Sequence, residues 1–391
     1  LEGRLISQEI LKVCREGLGK FNKTSIFPCV IFQCKNGINR NPEEPNYDLF
    51  KMALQCTSER LYPNYANCDW SSQKSWVEYD RKIKKEIIES LTIKEKNILI
   101  HRLEENPELK DILYLFPDLT IDLEEKPTEI FSTMGCRTAN GADVNFKKLY
   151  EQNIKSVIET GRAVCTTLTS AAQKDGRGNI CPTTIILPTL AMEANKDVSK
   201  FMNLLKRKLE EAKDSLIDRF EWICSQSSDS AKFIYENELM AGYIPEEGIR
   251  SALKHGTLAI GMLGMAEALE LLIGCNHTQP EGMKLAKEIC NLYKEKCNKF
   301  KEEYSLNFGV YYTPAENLCY TSMKKFQQQY GIIEKVSDHE YFTNSMHIPV
   351  WEKLDAFKKI KLESELTGYS SAGCITYVEL EGGIKNNLEA L

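Results

Sequence analysis

The sequence predicts an α/β fold with a mainly parallel sheet. Short apolar runs of the length of buried strands alternate with long amphipathic helices along the 391 residues. The composition, 42% hydrophobic and 27% charged, is that of a globular chain with a large core. No run approaches the length of a transmembrane helix and the first residues lack a signal-peptide core, so we expect a cytoplasmic protein with no membrane partner.

The first predicted elements are a helix over 5–16, ended by a pair of glycines, and a buried strand over 27–32. Asn36-Gly37 is typical of a turn, and residues 47–60 have helical spacing. These signals are local, so the four elements are predicted without reference to the rest of the chain.

Residues 71–128 differ from the rest in composition. Lys and Glu are dense there, and the spacing of Ile83, Ile87 and Leu91 predicts an amphipathic helix with a solvated charged face. We interpret this stretch as a helical surface insertion within one large domain that spans 1–391.

Two long helices and four strands follow. The apolar residues from Val198 to Ile223 and from Ala286 to Tyr304 step by three and four, so each helix buries one stripe. The strands of the predicted parallel sheet are Thr183–Leu187, Leu258–Leu263, Asn307–Tyr312 and Cys374–Leu380.

The 14 cysteines form no C-x-x-C pair and no zinc-finger spacing, so they are predicted to be mostly buried thiols in a reducing compartment, with no metal site. The formal net charge is -6 and no long basic stripe is present. Direct binding to nucleic acid is therefore not expected.

The first candidate site is the segment Thr313-Pro314-Ala315-Glu316-Asn317, which directly follows a predicted strand. Thr313 suits an N-cap, Pro314 the first helical position and Glu316 the place of a capping-box glutamate. The N–H groups and dipole at such a helix start favour a bound phosphate. A plain capped helix explains the same pattern, and the negative Glu316 competes with an anion.

The second candidate is Cys136. Gly135 permits unusual backbone angles beside this thiol, Arg137 could lower its pKa, and the thioether of Met134 lies two residues before it. A buried structural cysteine is the alternative.

Three further segments carry weaker signals. Asn179, after Gly178, could present its amide to a ligand or could belong to a turn. Gly256–Glu267 predicts close packing of a strand on a helix and does not match the dinucleotide-binding motif. The polar side chains of Thr343–Pro349 could line a pocket, although a lone histidine is usually structural.

Taken in order, these segments resemble the class III, anaerobic glycyl-radical ribonucleoside-triphosphate reductases. The matching pieces are Phe27-Pro28 with Phe32, Asn36–Asn39, Met134–Thr138, Gly178-Asn179 with Thr183–Pro188, Gly256–Glu267, Tyr311–Leu318 and Thr343–Pro349. The resemblance implies a ten-stranded α/β barrel of the ribonucleotide reductase type, present in part, with long surface helices and a finger loop inside.

The same resemblance implies the roles of individual residues. Cys136 on the finger loop would be the thiyl radical that takes the 3′-hydrogen of a ribonucleoside triphosphate, so that the 2′-hydroxyl leaves as water. Met134 implies formate as the reductant. Asn179 and Tyr311 would lie beside the ribose, and Thr313–Asn317 with Arg137 would bind the substrate.

The resemblance also implies deoxynucleotide and ATP effectors, a homodimer and an activase that uses an iron–sulfur cluster with S-adenosylmethionine. The family stores its radical on a glycine in an Arg-Val-x-Gly-Tyr segment that follows paired zinc-binding cysteines, and neither occurs here. We therefore expect the glycyl radical and zinc on a C-terminal segment outside this chain, with no cofactor bound by the chain itself.

Two alternatives remain at this point. The chain could be a non-catalytic nucleotide-binding fragment of the same fold, or it could belong to another glycyl-radical enzyme that acts on a small acid. Asn179 and the Thr313–Asn317 segment disfavour the second alternative.

Overall fold

The computed structural model describes residues 2–24, 28–60, 62–71, 74–121, 138, 143–164, 178–237, 239–240, 243–380, 382–389 and 391, with the backbone alone at 70–71 and 74–80. These residues form two compact units. The described residues of Leu1–Lys74 and Val378–Leu391 form the first unit, and those of Ser75–Glu124 and Arg137–Tyr377 form the second.

The first unit combines helices with a two-stranded parallel sheet. Its elements are α1 (Glu2–Glu16), β1 (Ile31–Cys34), α2 (Tyr47–Glu59), β2 (Asn64–Asn67), α3 (Cys68–Ser71) and a 3-10 helix (Ile384–Asn386). Arg15 and Glu59 join α1 to α2 by an ion pair at 2.8 Å. Both predicted helices are confirmed. The strand predicted over 27–32 begins only at Ile31, after Pro28, which has no N–H to donate to a ladder.

Four helices of the second unit surround a core of their own. They are α4 (Lys74–Ser90), α5 (Ile93–Glu105), α6 (Glu108–Leu113) and α7 (Phe146–Thr160). Ile83 and Ile87 are buried in this core, as the charge-rich pattern predicts. Thr92 and Glu95 form a capping box at the start of α5. Within 71–128, α4, α5 and α6 confirm the helical character of residues 74–113, and the status of the stretch as an insertion stays a prediction.

One cation is buried within this helical core. Lys84 is 1% exposed, and its ammonium lies 4.5 Å from the ring centre of Tyr114 and 5.6 Å from that of Tyr150. The negative faces of aromatic rings attract a desolvated ammonium. Lys84 therefore differs from the solvated charged face that the sequence predicts, because the aromatic rings stabilise its buried ammonium.

The rest of the second unit is built on a parallel sheet in the order β3-β4-β5. Its strands are β3 (Asn179–Ile186), β4 (Thr257–Leu263) and β5 (Asn307–Tyr311). The helices that connect and follow them are α8 (Leu187–Glu193), α9 (Val198–Cys224), α10 (Lys232–Glu236), α11 (Arg250–Leu253), α12 (Met265–Ile273), α13 (Pro280–Tyr304), α14 (Glu316–Tyr330) and α15 (Ala356–Thr367), with 3-10 helices at Ser228–Ala231 and Pro245–Glu247.

The two faces of this sheet differ in side-chain size. Leu258, Ile260 and Met262 of β4 point into the main core, where α9 packs on β3 and α13 packs on β5. The alternate residues of β4, Ala259 and Gly261, lie on the opposite face. The two long helices therefore cover one face, as their apolar stripes predict, and small side chains line the other.

The prediction of a strand over 374–380 is wrong. Those residues have irregular backbone, and Gly373 makes only an isolated parallel bridge to Tyr311. The N–H groups of Ser371 and Ala372 donate to the carbonyl of Val310 at 3.1 and 3.0 Å. Beyond Tyr312 the chain turns through Pro314, which has no N–H, so β5 offers no further ladder.

The α/β class is confirmed by the alternation of helices with parallel strands. The sheets seen within the described ranges have two and three strands and are not closed, so the ten-stranded barrel stays a prediction. None of the helices in the described part of the chain is both long and apolar enough to cross a membrane. Burial raises the pKa of the thiols of Cys290 and Cys297 to about 12, which keeps them protonated and unreactive.

Candidate functional site

The candidate site begins at the carboxyl edge of the three-stranded sheet. Thr184, Gly261 and Tyr311 are partners in the parallel register, so all three strands end at the same edge. Ligands of open parallel sheets bind at this edge, because the loops that leave the strands converge there. The predicted segment Thr313–Asn317 follows β5 at this edge.

The sequence predicted that Thr313 caps the helix, but the structure shows that it does not. α14 begins at Glu316 with Ala315 at the N-cap position, and no side chain of its own segment caps it. The hydroxyl of Thr313 instead pairs with that of Thr184 at 3.0 Å. Glu316 is the first helical residue and not the reciprocal partner of a capping box. The contact of Thr313 with β3 overrides the local pattern.

Gly261 makes the position of Thr313 possible. A Cβ built on Gly261 would lie 1.7 Å from Thr313 Oγ1 and 2.8 Å from the carbonyl oxygen of Tyr311. No real Cβ approaches other atoms so closely, so only glycine fits here. The small residues of Gly256–Glu267, from which close packing was predicted, thus permit the close approach of the loop that follows β5.

The segment Thr343–Pro349 docks at the start of α12. The N–H groups of Gly264 and Met265 donate to the carbonyls of Thr343 and Ser345 at 3.0 and 3.2 Å. These are orphan N–H groups of the helix start, which need acceptors from elsewhere. The segment therefore lies at the carboxyl end of β4, beside the loop that follows β5.

Asn344 links the two loops. Its side-chain oxygen accepts the N–H of Ala315, the residue at the N-cap position of α14, at 3.2 Å. Asn344 is half-buried, and its side chain lies at the start of α14. The sequence pointed to its segment but not to this residue, because the bond joins positions 29 apart.

Glu267, in the first turn of α12, is a buried carboxyl with an unusual environment. It is 1% exposed, and its Oε1 accepts the N–H of Thr343 at 2.6 Å and the hydroxyl at 2.7 Å. Burial raises its pKa from 4.5 to about 7, and the two hydrogen bonds from Thr343 oppose that rise. An acidic residue at the end of a run of small and apolar residues was the only sequence signal for this group.

Because the pKa of Glu267 is raised on folding, its neutral form stabilises the protein below pH 4.5, and this contribution is lost as the pH rises through about 7. The shift from 4.5 to about 7 corresponds to roughly 3 kcal/mol. We expect Glu267→Gln to remove this loss, so the free energy of unfolding of the variant relative to the unmodified chain should increase between pH 5 and 8. Urea unfolding at several pH values measures the difference.

His277 provides an internal reference for that measurement. Burial lowers its pKa from 6.5 to about 4, so its contribution to stability rises with pH over that interval, opposite in sign to that of Glu267. Both proteins contain His277, and its effect cancels in the comparison. A constant difference between the two proteins over this pH range would contradict the assignment to Glu267.

A second buried carboxylate holds the far end of the Thr343–Pro349 segment. Glu363 of α15 accepts the backbone N–H of Ile348 at 3.1 Å and pairs with Nδ1 of His347 at 3.2 Å. Burial raises the pKa of Glu363, but the hydrogen bond and charge of His347 outweigh it, and the net pKa is lowered. His277 adds a contact of 2.9 Å from Nε2 to the carbonyl of Met346. His347 is therefore buried against Glu363, as expected of a histidine with a structural role.

Asn179 lies at the other end of the sheet, at the first residue of β3. Its amide nitrogen lies 3.4 Å from Thr138 Oγ1 and donates to the carbonyl of Ala372 at 3.0 Å. Its Oδ1 is buried and has no hydrogen-bond partner among the described residues. The amide thus meets the last residue of the predicted Met134–Thr138 motif, although 41 positions separate the two residues.

Tyr311 shares a small apolar cluster with Ala259 and Ala372 on the face of small side chains. Because Asn179 donates to the carbonyl of Ala372, the predicted residues Asn179 and Tyr311 meet through one residue. Arg137, Met134 and Cys136 lie outside the described residues, so the structure gives no position for them.

Sequence reasoning missed a buried polar network at the amino edge of the sheet. Asp143 accepts from Asn307 Nδ2 at 3.0 Å and lies 2.7 Å from Nδ1 of His255, and Asn307 also accepts the N–H of Val144 at 2.8 Å. These contacts join Asp143 to the amino ends of β4 and β5. No sequence signal could have found them, because up to 164 positions separate the partners.

Comparison with known proteins gives the family. The family model for anaerobic ribonucleoside-triphosphate reductase matches residues 1–391. The chain is 27% identical to the anaerobic ribonucleoside-triphosphate reductase of Escherichia coli strain K12, covering 100% of this chain and 45% of that protein. It is 26% identical to the enzyme of that name from enterobacteria phage T4, covering 99% of this chain and 52% of that protein.

The fold also agrees with that of a solved structure. The crystal structure of the anaerobic ribonucleotide reductase from Thermotoga maritima with MES in the active site has a TM-score of 0.55 at 13% identity, over 99% of this chain and 49% of that one. The chain spans about half the length of the relatives that it matches. By the match of the family model to its whole length, this chain belongs to the anaerobic ribonucleoside-triphosphate reductase family.

Proposed function

We propose that this chain is the part of an anaerobic ribonucleoside-triphosphate reductase that binds the ribonucleotide and carries the radical thiol. The match of the family model over residues 1–391 carries this proposal. The meeting of Thr138 with Asn179 and the convergence of two loops at the carboxyl edge of the sheet support it.

In this proposal Cys136 is the hydrogen-abstracting thiol. Its thiyl form takes the 3′-hydrogen of the ribose, and the 2′-hydroxyl leaves as water after protonation. C2′ gains a hydrogen in place of the hydroxyl from a proton and the two electrons of the reductant, and the abstracted hydrogen returns to C3′ as the thiyl radical forms again. Formate supplies the two electrons and is oxidised to carbon dioxide, and Met134, two residues before Cys136, favours formate over a dithiol protein. The glycyl radical of the complete enzyme would supply the initial oxidation of the thiol.

Asn179 and Tyr311 are proposed to face the ribose. The buried Oδ1 of Asn179, without a partner among the described residues, is suited to accept a hydrogen bond from a ribose hydroxyl. Tyr311 lies on the face of the sheet opposite the main core, in a cluster with Ala259 and Ala372. The carbonyl of Ala372 also accepts the Asn179 amide, so the two proposed ribose contacts lie beside the same residue.

The triphosphate is proposed to bind at Thr313–Asn317, with Arg137 as a further cationic contact. The first N–H groups of α14 have no intrahelical acceptors, and the helix dipole adds a partial positive charge. Glu316 in the first turn opposes an anion, so the hydroxyl of Thr313 and the N–H of Asn317 have to outweigh it.

Partners of the complete enzyme belong to the same proposal. We propose deoxynucleotide and ATP effectors, a homodimer, and an iron–sulfur activase that installs the radical with S-adenosylmethionine. No group of three or more His, Cys, Asp or Glu side chains within the described ranges could hold a metal ion, so we assign no zinc ligands there.

A titration of the 391-residue chain tests the binding part of the proposal. We expect isothermal titration calorimetry to detect ribonucleoside triphosphate, and Thr313→Val to weaken that binding about tenfold, since a lost hydrogen bond to a charged group removes about 1.5 kcal/mol or more. Thr321→Val, which removes an exposed hydroxyl from α14, is the matched control. Equal affinities of the two variants would contradict the assignment of Thr313.

A further inference from the structure

Thr343, Asn344 and Ser345 bridge two helix starts that lie at neighbouring strand ends. At one end the carbonyls of Thr343 and Ser345 accept the first N–H groups of α12. At the other end Asn344 Oδ1 accepts the N–H of Ala315 before α14. The position of Asn344 at the start of α14 therefore depends on how firmly the segment is held on α12.

Glu267 holds that segment. Both of its hydrogen bonds go to Thr343, one to the backbone N–H and one to the hydroxyl, and they share a single oxygen, Oε1. The other oxygen, Oε2, is buried without a hydrogen-bond partner among the described residues. A buried carboxyl that serves one residue only, immediately before Asn344, restricts both the backbone and the side chain there.

The bridge is also strained. Ser345 has a φ of 55°, in the left-handed region that non-glycine residues rarely adopt. Its hydroxyl is 0% exposed and has no partner within the described ranges. Such a conformation persists only where the surroundings enforce it, and the enforcing contacts here are those of Glu267, Gly264 and Met265.

We propose that Glu267 is a positioning residue for triphosphate binding, acting through Thr343 to hold Asn344 at the start of α14. Asn344 then has two tasks. Its Oδ1 orients the Ala315 peptide, and its amide nitrogen, which has no partner among the described residues, donates to a phosphate oxygen. The inference rests on the proposed function, since it names two further residues of the same site.

The consequence is a division of labour between two buried carboxyls. Glu363 holds His347 and Ile348 at the distal end of the segment, away from Ala315. Glu267 acts at the end that reaches the phosphates. Loss of Glu267 should therefore affect recognition of the phosphates and leave recognition of the nucleoside intact.

The test compares two ligands on the 391-residue chain by calorimetry, a ribonucleoside triphosphate and the corresponding ribonucleoside. We expect Glu267→Leu to weaken triphosphate binding about tenfold, as for one hydrogen bond, and to leave ribonucleoside binding unchanged. Glu267→Gln keeps one acceptor oxygen and should restore most of the affinity. Glu270→Leu, one turn along α12, is the matched control, because the hydrogen bonds of Glu270 go to Asn276.

Asn344→Ala provides a second, independent variant, since Asn344 is half-buried and its truncation leaves the core intact. It should weaken the triphosphate about tenfold, and combining it with Glu267→Leu should add nothing, because both changes remove the same interaction. Additive losses, an unchanged triphosphate affinity, or equal losses for both ligands would each overturn the proposal. If the unmodified chain binds neither ligand, the proposed function fails, and this inference fails with it.

Discussion

Cys136→Ala in the complete, activated enzyme is expected to abolish deoxynucleotide formation while the affinity for ribonucleoside triphosphate stays unchanged. Alanine has no S–H bond, so no side chain at that position can exchange a hydrogen atom with the ribose C3′. Loss of the proposed hydrogen-abstracting thiol should reduce turnover below detection, whereas loss of a structural thiol would lower it in proportion to stability. Product formation and equilibrium binding are measured on the same preparation.

Cys224→Ala is the matched control for this experiment. Cys224 ends α9, is half-buried, and has a pKa raised by burial, so its removal should leave turnover intact. Residual turnover by Cys136→Ala above that of an unactivated sample would contradict the radical role. An activated enzyme that binds triphosphate but never turns over, even with Cys136 present, would instead favour the nucleotide-binding alternative.

The sequence predicted the long elements well because their signals are local. The apolar spacing of Phe201, Leu205 and Leu209 is reproduced as a buried stripe of α9, and each is fully buried in the structure. A 27-residue helix repeats its pattern many times, so a single exception does not alter the prediction.

Short elements were predicted less well, because their existence depends on partners. The apolar run after Cys374 resembles a strand, yet β5 has no ladder to offer beyond Tyr312. Likewise, Thr313 has the residue type of an N-cap, but its hydroxyl is drawn to Thr184, 129 positions away. Local propensity and a long-range contact compete in both cases, and the contact prevails.

The candidate site shows the same limit. The sequence indicated the segments that contain Glu267 and Asn344, but neither the bond from Thr343 to Glu267, across 76 positions, nor the bond from Ala315 to Asn344 could be predicted. Buried polar groups must be satisfied by some partner, and a single sequence does not say which one. The network around Asp143 had no local signal at all.

Gly261→Ala is expected to destabilise the second unit and to disrupt the triphosphate site together. The added Cβ would meet Thr313 Oγ1 at 1.7 Å and the backbone oxygen of Tyr311 at 2.8 Å. A side-chain rotation of Thr313 can relieve the first contact, but the second requires β4 and β5 to separate. Overpacking of this kind costs about 1–3 kcal/mol, which urea unfolding measures.

The contact of the added Cβ with Thr313 Oγ1 and its contact with the Tyr311 carbonyl can be tested separately. Thr313→Ala in the Gly261→Ala background removes the hydroxyl, so it should recover part of the stability while triphosphate binding stays weak, since Thr313 is itself a proposed ligand contact. Gly368→Ala is the control, because a Cβ there meets no atom within 4 Å. If Gly261→Ala were as stable as Gly368→Ala and bound triphosphate normally, the close approach of β4 to the loop after β5 would not be what shapes the site. Coupled losses would instead show that packing of the sheet and binding of the phosphate depend on the same missing Cβ.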